Sequence, residues 1–328
     1  MSRKLLSYTA LGLILGNAAI ADVPKVAVDI APVHSLVSRV MEGVGSPNLI
    51  IPAGASPHEY SLRPSEAKSL QDADMVIWMG EDLAPWMENS IEKLAKNAEV
   101  ITLLEASETK LLDFREGALF EEHDHGDHDD HDDHDDHDKD HDDHDDHDDH
   151  DDHAGHDHGE HDPHAWLSIE NAQTWLNLVA GKLSAADPEN AGVYFGNAAA
   201  ARSEIEELSK EVNSILDPVR GRSFVVFHDA YQYFETSFDF PASGAISLGD
   251  ATDPSASRIA EIQGRVREEG INCVLSEPQY NPNLVETVLE GTDAKTGVID
   301  PLGVNLEPGS KLYGDLIRNM AKSLAGCL

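Results

Sequence analysis

Short β-branched and aliphatic runs alternate along the chain with stretches whose apolar residues recur at helical spacing, the pattern of an α/β fold. The runs that read as strands are Val26–Ile30, Asn48–Ile51, Met75–Met79 and Val100–Leu103, then Phe224–Phe227, Ala242–Ile246, Ile271–Leu275 and Gly297–Asp300. Four precede a long polar interval and four follow it. Asp253-Pro254 reads as the start of a helix that Gly270 closes, with Ile259, Ile262 and Val266 on one face. Asn281-Pro282 opens the next helix and Gly291 ends it, with Leu284, Val285, Val288 and Leu289 turned inward. These are successive β-α-β units, so the second half is expected to hold a mainly parallel sheet. Residues 189–216 behave differently. Tyr194, Ala198, Ala201, Ile205, Leu208, Val212 and Ile215 form one apolar stripe on a helix of about seven turns. A helix of that length between two four-stranded lobes predicts a stiff joint rather than a hinge.

Charge changes the picture. The 328 residues include 62 Asp or Glu against 23 Lys or Arg, a net charge of −39. Nucleic acid is excluded as a partner and an anionic membrane surface is disfavoured, whereas cationic ligands match. Residues 121–162 alone hold 20 Asp, three Glu, 14 His and one Lys, mostly as repeated His-Asp-Asp units. From His128 to His153 there is no apolar side chain to offset chain entropy, so this segment is expected to be disordered without ligand. Imidazoles among carboxylates predict weak binding of several zinc, nickel or copper ions rather than tight binding of one.

Arg3 and Lys4, the apolar run Leu11–Leu15, and Ala19-Ile20-Ala21 have the layout of a secretory signal peptide cleaved after Ala21. No cysteine lies near that cleavage site to take a lipid, so the mature chain is expected in a bacterial periplasm without a membrane anchor. In that oxidising space the two cysteines, Cys273 and Cys327, read as a disulfide. It would pin a terminal helix marked by Leu312, Leu316, Met320 and Leu324.

Four histidines lie outside the tract: His34, His58, His164 and His228. His58 follows the second strand, His228 directly follows the fifth, and His164 stands directly beyond the tract. Ligands in open α/β sheets gather at the carboxyl ends of strands, and three imidazoles with one carboxylate or water make a four-coordinate zinc site. A further loop of this kind carries Asp300-Pro301-Leu302-Gly303.

Here a resemblance enters. Ser56-Pro57-His58-Glu59-Tyr60-Ser61-Leu62-Arg63-Pro64-Ser65 resembles the first ligand motif of the metal-specific substrate-binding proteins of bacterial ABC transporters, the cluster A-I family. Asp162-Pro163-His164-Ala165-Trp166 and Phe227-His228-Asp229-Ala230-Tyr231 resemble the second and third, and the His-rich insertion resembles the zinc-specific, ZnuA-type branch. The resemblance spans essentially the whole mature chain. It implies two (β/α)4-type lobes joined by one long rigid helix, with the metal in the cleft between them. The domains are then 22–188, with the tract at 121–162, a linking helix at 189–216, and 217–328. It implies a monomer that captures periplasmic zinc and delivers it to an inner-membrane ABC permease. The manganese-specific relatives carry Glu where this chain has His228, which favours zinc. Some zinc-specific members have an acidic residue directly before the first ligand, where this chain has Pro57. The fourth ligand is therefore open among Asp300, a water, Glu59 and a tract histidine, and Asp300 is taken. The Cys273–Cys327 pair also resembles the disulfide of zinc-specific members, and His34 is read as structural or supporting.

Two competing functions remain on the sequence alone. A three-His zinc site also describes a hydrolase, although no HExxH helix occurs. A metal buffer acting mainly through the tract is the other. A binding protein without enzymatic activity is the reading adopted.

Overall fold

The computed structural model describes residues 23–115, 120, 161–247, 254–280 and 282–328. The signal-peptide reading, the tract up to residue 160, and the expected helix-opening residues Asp253 and Asn281 lie outside the described residues. The first half runs β1 (Val26–Val28), α1 (Ala31–Val40), β2 (Asn48–Leu49), α2 (Pro64–Gln71), β3 (Met75–Trp78), α3 (Pro85–Leu94) and β4 (Glu99–Thr102). Beyond the tract come a 3-10 turn (Ala165–Leu167), α4 (Ile169–Ala186) and α5 (Ala191–Leu216). The second half runs β5 (Phe224–His228), α6 (Gln232–Phe238), β6 (Ala245–Ser247), α7 (Ala256–Glu268), β7 (Cys273–Ser276), α8 (Pro282–Leu289), β8 (Lys295–Val298) and α9 (Leu312–Cys327).

The strands form two four-stranded sheets, ordered β2-β1-β3-β4 and β6-β5-β7-β8, with every neighbouring pair parallel. The central strands β1, β3 and β5 are buried along their whole length, as strands covered on both faces must be. Edge strand β8 is different, with Lys295, Thr296 and Val298 exposed. It spans Lys295–Val298 rather than the expected Gly297–Asp300, because its position is set by pairing Cys273 with Lys295 and Ser276 with Val298. Helix α7 also starts later than Asp253-Pro254 implies. Its cap is Ser255, whose Oγ accepts the Arg258 N–H at 3.2 Å.

Helix α5 carries the expected stripe with one change at its end: Leu216, not Ile215, completes the buried face. A strict 3.5-residue spacing drifts around a 3.6-residue helix, and one extra step restores the face. This helix packs on α4, α9, α1 and α6. One continuous apolar core therefore runs from the first sheet through these helices to one side of β5. Phe224 and Val226 join that core, while Val225 and Phe227 point into a smaller cluster under α7 and α8. Among the described residues no helix is long and apolar enough to cross a membrane.

Helix α9 crosses back onto the first half. Leu312, Leu316, Met320 and Leu324 are buried, and the Tyr313 N–H donates to Ser35 Oγ on α1 at 2.9 Å. Its end is joined to β7 by the Cys273–Cys327 disulfide, with Cα atoms 5.8 Å apart. Closing a loop 54 residues apart in sequence stabilises the fold by roughly 4 kcal/mol in the chain-entropy model. The double variant Cys273→Ser, Cys327→Ser is expected to lower the unfolding free energy by about that amount, measured by denaturant titration. Thiol titration should find no reactive group in the native protein and two after unfolding with reductant; two reactive thiols in the native protein would refute the bridge.

Candidate metal centre

Three loops build the site. In the second sheet the crossovers leave β5 and β7 in opposite directions, which opens a crevice at their carboxyl ends. His228 is the last residue of β5, and Glu277 directly follows β7. Neighbouring strand ends thus set the His228 Nδ1 2.6 Å from Glu277 Oε1, with both side chains buried. His164 is held locally. Asp162 Oδ1 accepts the His164 backbone N–H at 2.9 Å and its Nδ1 at 2.7 Å, so the short Asp-Pro-His segment orients its own imidazole.

His58 sits on the loop after β2, which α3 supports: Trp86 Nε1 donates to the Pro57 carbonyl at 2.8 Å. Tyr60 packs edge-on against the same indole and donates its hydroxyl to the Glu66 carboxylate at 2.9 Å. Glu66 in turn accepts the Arg63 N–H at 2.7 Å at the start of α2. Glu59 faces outward and is exposed.

The three imidazoles meet. Ring centroids of His164 lie 5.6 Å from His58 and 5.3 Å from His228. The Nε2 atoms of His164 and His228 are 3.4 Å apart. Each of these two rings has its Nδ1 against a carboxylate, the arrangement that favours a proton on Nδ1 and turns Nε2 toward its neighbour. Two nitrogens bound at 2.0–2.1 Å to a common tetrahedral zinc stand about 3.3–3.4 Å apart, which matches the observed edge. Among the described residues no set of three or more His, Cys, Asp or Glu is close enough together to form a complete metal-binding group. The His164–His228 edge is at ligand spacing, and His58 stands further off, its ring centroid 5.6 Å from that of His164.

Size and polarity narrow what fits. The hollow lined by His58, His164, His228, Trp166, Glu277 and Tyr280 has a volume of about 20 Å³. That is room for a single ion or water and not for an organic ligand. A larger hollow of about 420 Å³ lies between α1, α5 and α9, but it contains no histidine.

The carboxylates behind the rings are costly to bury. Burial pushes the Asp162 carboxyl up to about 7, against the lowering effects of the His164 amide, Arg115, His228 and His58. A cation between the imidazoles adds the positive charge that favours its ionised form. Burial likewise raises Asp229, next to His228, and Glu235 on α6, while Arg115 opposes both shifts. Burial and the neighbouring Glu277 hold the Tyr231 hydroxyl well above its ordinary range.

The remaining sequence candidates sit elsewhere. Asp300 is not among the residues lining the histidine hollow, although Pro301 and Leu302 are. Its Oδ1 accepts the N–H groups of Leu302 at 3.1 Å and Gly303 at 2.8 Å, and its Oδ2 accepts that of Val304 at 2.7 Å. The Pro301 carbonyl accepts Trp166 Nε1 at 2.9 Å, which docks this loop behind His164. His34 is buried on α1, with Nε2 donating to the Pro47 carbonyl at 3.2 Å, a structural bond within the first half. Sequence reasoning did not assign Asp162 and Glu277 as orienting partners, nor Arg115 any role. The Asp-x-His spacing is a usable signal for Asp162. Glu277 needs the strand order, because β5 and β7 are not consecutive.

The model for the family described as zinc-uptake complex component A, periplasmic, matches residues 26–327. The chain is 47% identical over 326 residues to the high-affinity zinc uptake system protein ZnuA of Paracoccus denitrificans, covering 98% of each chain. It is 46% identical over 314 residues to the protein of the same name from Brucella abortus, covering 95% of this chain and 94% of that one. A crystal structure of ZnuA superposes with a TM-score of 0.72 at 19% identity, covering 93% of this chain and 99% of that one. The SBP FpvC from Pseudomonas aeruginosa in complex with Mn2+ gives 0.72 at 18% identity, covering 93% and 98%. Those two likenesses bear on the fold alone. With a family match running nearly from end to end and close relatives matched over their full lengths, the chain belongs to the ZnuA family of periplasmic zinc-uptake components.

Proposed function

We propose that His58, His164 and His228 capture one zinc ion in the cleft, and that the loaded protein hands it to an inner-membrane ABC permease for import. The protein is a zinc-binding component of a zinc-uptake system. The observation that carries the ligand assignment is the 3.4 Å Nε2 separation of two buried imidazoles whose Nδ1 atoms face carboxylates. Neutral nitrogen donors suit zinc, whereas manganese and magnesium favour oxygen. A water takes the fourth position in this reading. Asp300 already accepts three backbone N–H groups of its own loop, which leaves one acceptor site on its Oδ2. The same proposal covers cleavage after Ala21, the division into 22–188, 189–216 and 217–328, a monomeric state, and the lack of enzymatic activity. The acidic tract is a store of weakly held ions beside the single tight site.

His58→Ala, His164→Ala and His228→Ala are each expected to weaken the tight site by more than the about 100-fold seen when outer partners are changed. Glu277→Gln should cost about 10–100-fold, because the ring keeps its donor atom but loses its orienting charge. Asp300→Asn should cost less than either. Competition with a zinc chelator measures all five, and wild-type affinity in His164→Ala would remove that residue from the site.

Acidification separates the tract from the cleft. Histidine has an ordinary pKa of about 6.5, and neighbouring aspartates raise it, so protons displace tract-bound zinc near neutrality. The expected record of zinc against falling pH has an early phase of several equivalents and a later one of one equivalent. Deleting residues 124–158 should abolish the early phase alone. A single release step common to both proteins contradicts the assignment.

A further inference from the structure

Arg115 lies near the point where the chain enters the acidic tract, in the first half of the sequence, yet among the described residues its ion-pair partners, Asp229 and Glu235, are in the second. Its Nε donates to Asp229 Oδ1 at 3.1 Å and Oδ2 at 3.0 Å. Its Nη1 donates to Glu235 Oε2 at 2.7 Å, and its Nη2 donates to Glu235 Oε1 at 3.0 Å and also to Asp229 Oδ1. The guanidinium is 15% exposed and the two carboxylates 5% and 6%. The Phe120 ring covers it, 3.5 Å from Cζ to the centroid.

The chain on either side of the tract is laced together at the same place. Asp113 and His161 form an antiparallel bridge, and the Asp162 N–H donates to the Leu112 carbonyl at 2.8 Å. Tyr233 on α6 joins both, accepting the Leu112 N–H at 2.9 Å and donating to the Asp162 carbonyl at 2.9 Å. Further back, Asn171 on α4 accepts the Lys110 N–H at 2.8 Å and donates to the Lys110 carbonyl at 3.0 Å.

Two of these contacts border the metal site directly. Asp229 is the residue after His228, and Asp162 is the carboxylate that holds His164 Nδ1. A buried ion pair is weak grounds for stability, because desolvation offsets its attraction, but a bidentate fork fixes geometry closely. We infer that Arg115 is a positioning residue for the metal site, clamping the chain beside Asp162 to the backbone at Asp229 so that the His164 and His228 nitrogens keep their ligand spacing. The inference rests on the cleft reading above and identifies which side chain sets its geometry.

The test uses the full-length protein loaded with one equivalent of zinc, with release into excess chelator followed in time. Arg115→Met alone strands two buried carboxylates and risks the fold. The charge-balanced triple variant Arg115→Met, Asp229→Asn, Glu235→Gln removes the clamp without stranding charge. The expected result is slow-phase release faster by about 10–100-fold, with the melting temperature of the metal-free protein held and an altered visible band in the cobalt-loaded protein. Arg115→Lys should not restore the wild-type rate, because an ammonium cannot grip two carboxylates as a planar fork does. Hydrogen exchange in the wild-type protein gives an arm independent of any substitution. One equivalent of zinc should slow the amides of Leu112–Arg115, since a contact that holds the ligands is held by them in return. Wild-type release from the triple variant, or exchange in that segment indifferent to zinc, overturns the inference. A slow phase that persists in His228→Ala refutes the cleft reading itself.

Discussion

Two imidazole nitrogens from different halves of the chain stand 3.4 Å apart, and the rest of the architecture serves to hold that separation. Each ring is fixed from behind, His164 by Asp162 and His228 by Glu277, and the two backbones that carry them share one apolar core. The orienting bonds set the donor direction. The fold sets the distance.

That second task explains the long helix. A joint made of loop would let the lobes open, whereas α5 carries a single apolar stripe that the first half, α6 and α9 share. The core is therefore continuous through the joint, and separating the lobes would expose part of that shared apolar surface to water. Helix α9 adds a second tie by returning from the end of the chain to Ser35 on α1, with its tip fixed to β7 by the disulfide. A rigid joint suits a site whose closest pair of nitrogens, on His164 and His228, is set by the fold.

How far the sequence could be read follows from where each feature stores its information. The α/β alternation and the central strands were legible because both faces of β1, β3 and β5 are buried and their residues read as unbroken apolar runs. The edge strand β8 was misplaced by two residues, since Lys295 and Thr296 face solvent and only pairing with β7 sets its position. The stripe on α5 was legible to its last turn. The three histidines were singled out from strand ends and motifs, and the rings of His58 and His228 lie 5.6 and 5.3 Å from that of His164. What sequence could not resolve lies in side-chain geometry between non-consecutive elements. Asp300 was taken as the fourth ligand from its place in a strand-end loop, and its carboxylate accepts the Leu302, Gly303 and Val304 amides of that loop. Glu277 becomes visible only once β7 is known to lie beside β5.

The charge balance around the site follows from the same geometry. Asp162, Asp229, Glu235 and Glu277 are all buried close to the histidines, and burial raises the first three. Carboxylates in such a place are unfavourable unless positive charge accompanies them. Arg115 is a permanent cation, held charged by Asp229 and Glu235 even though burial alone would lower its pKa. On the proposed reading, a metal held by the imidazoles would be a second cation beside the same acids. Its charge would favour the ionised carboxylates that burial disfavours, so the buried acids would serve affinity as well as orientation.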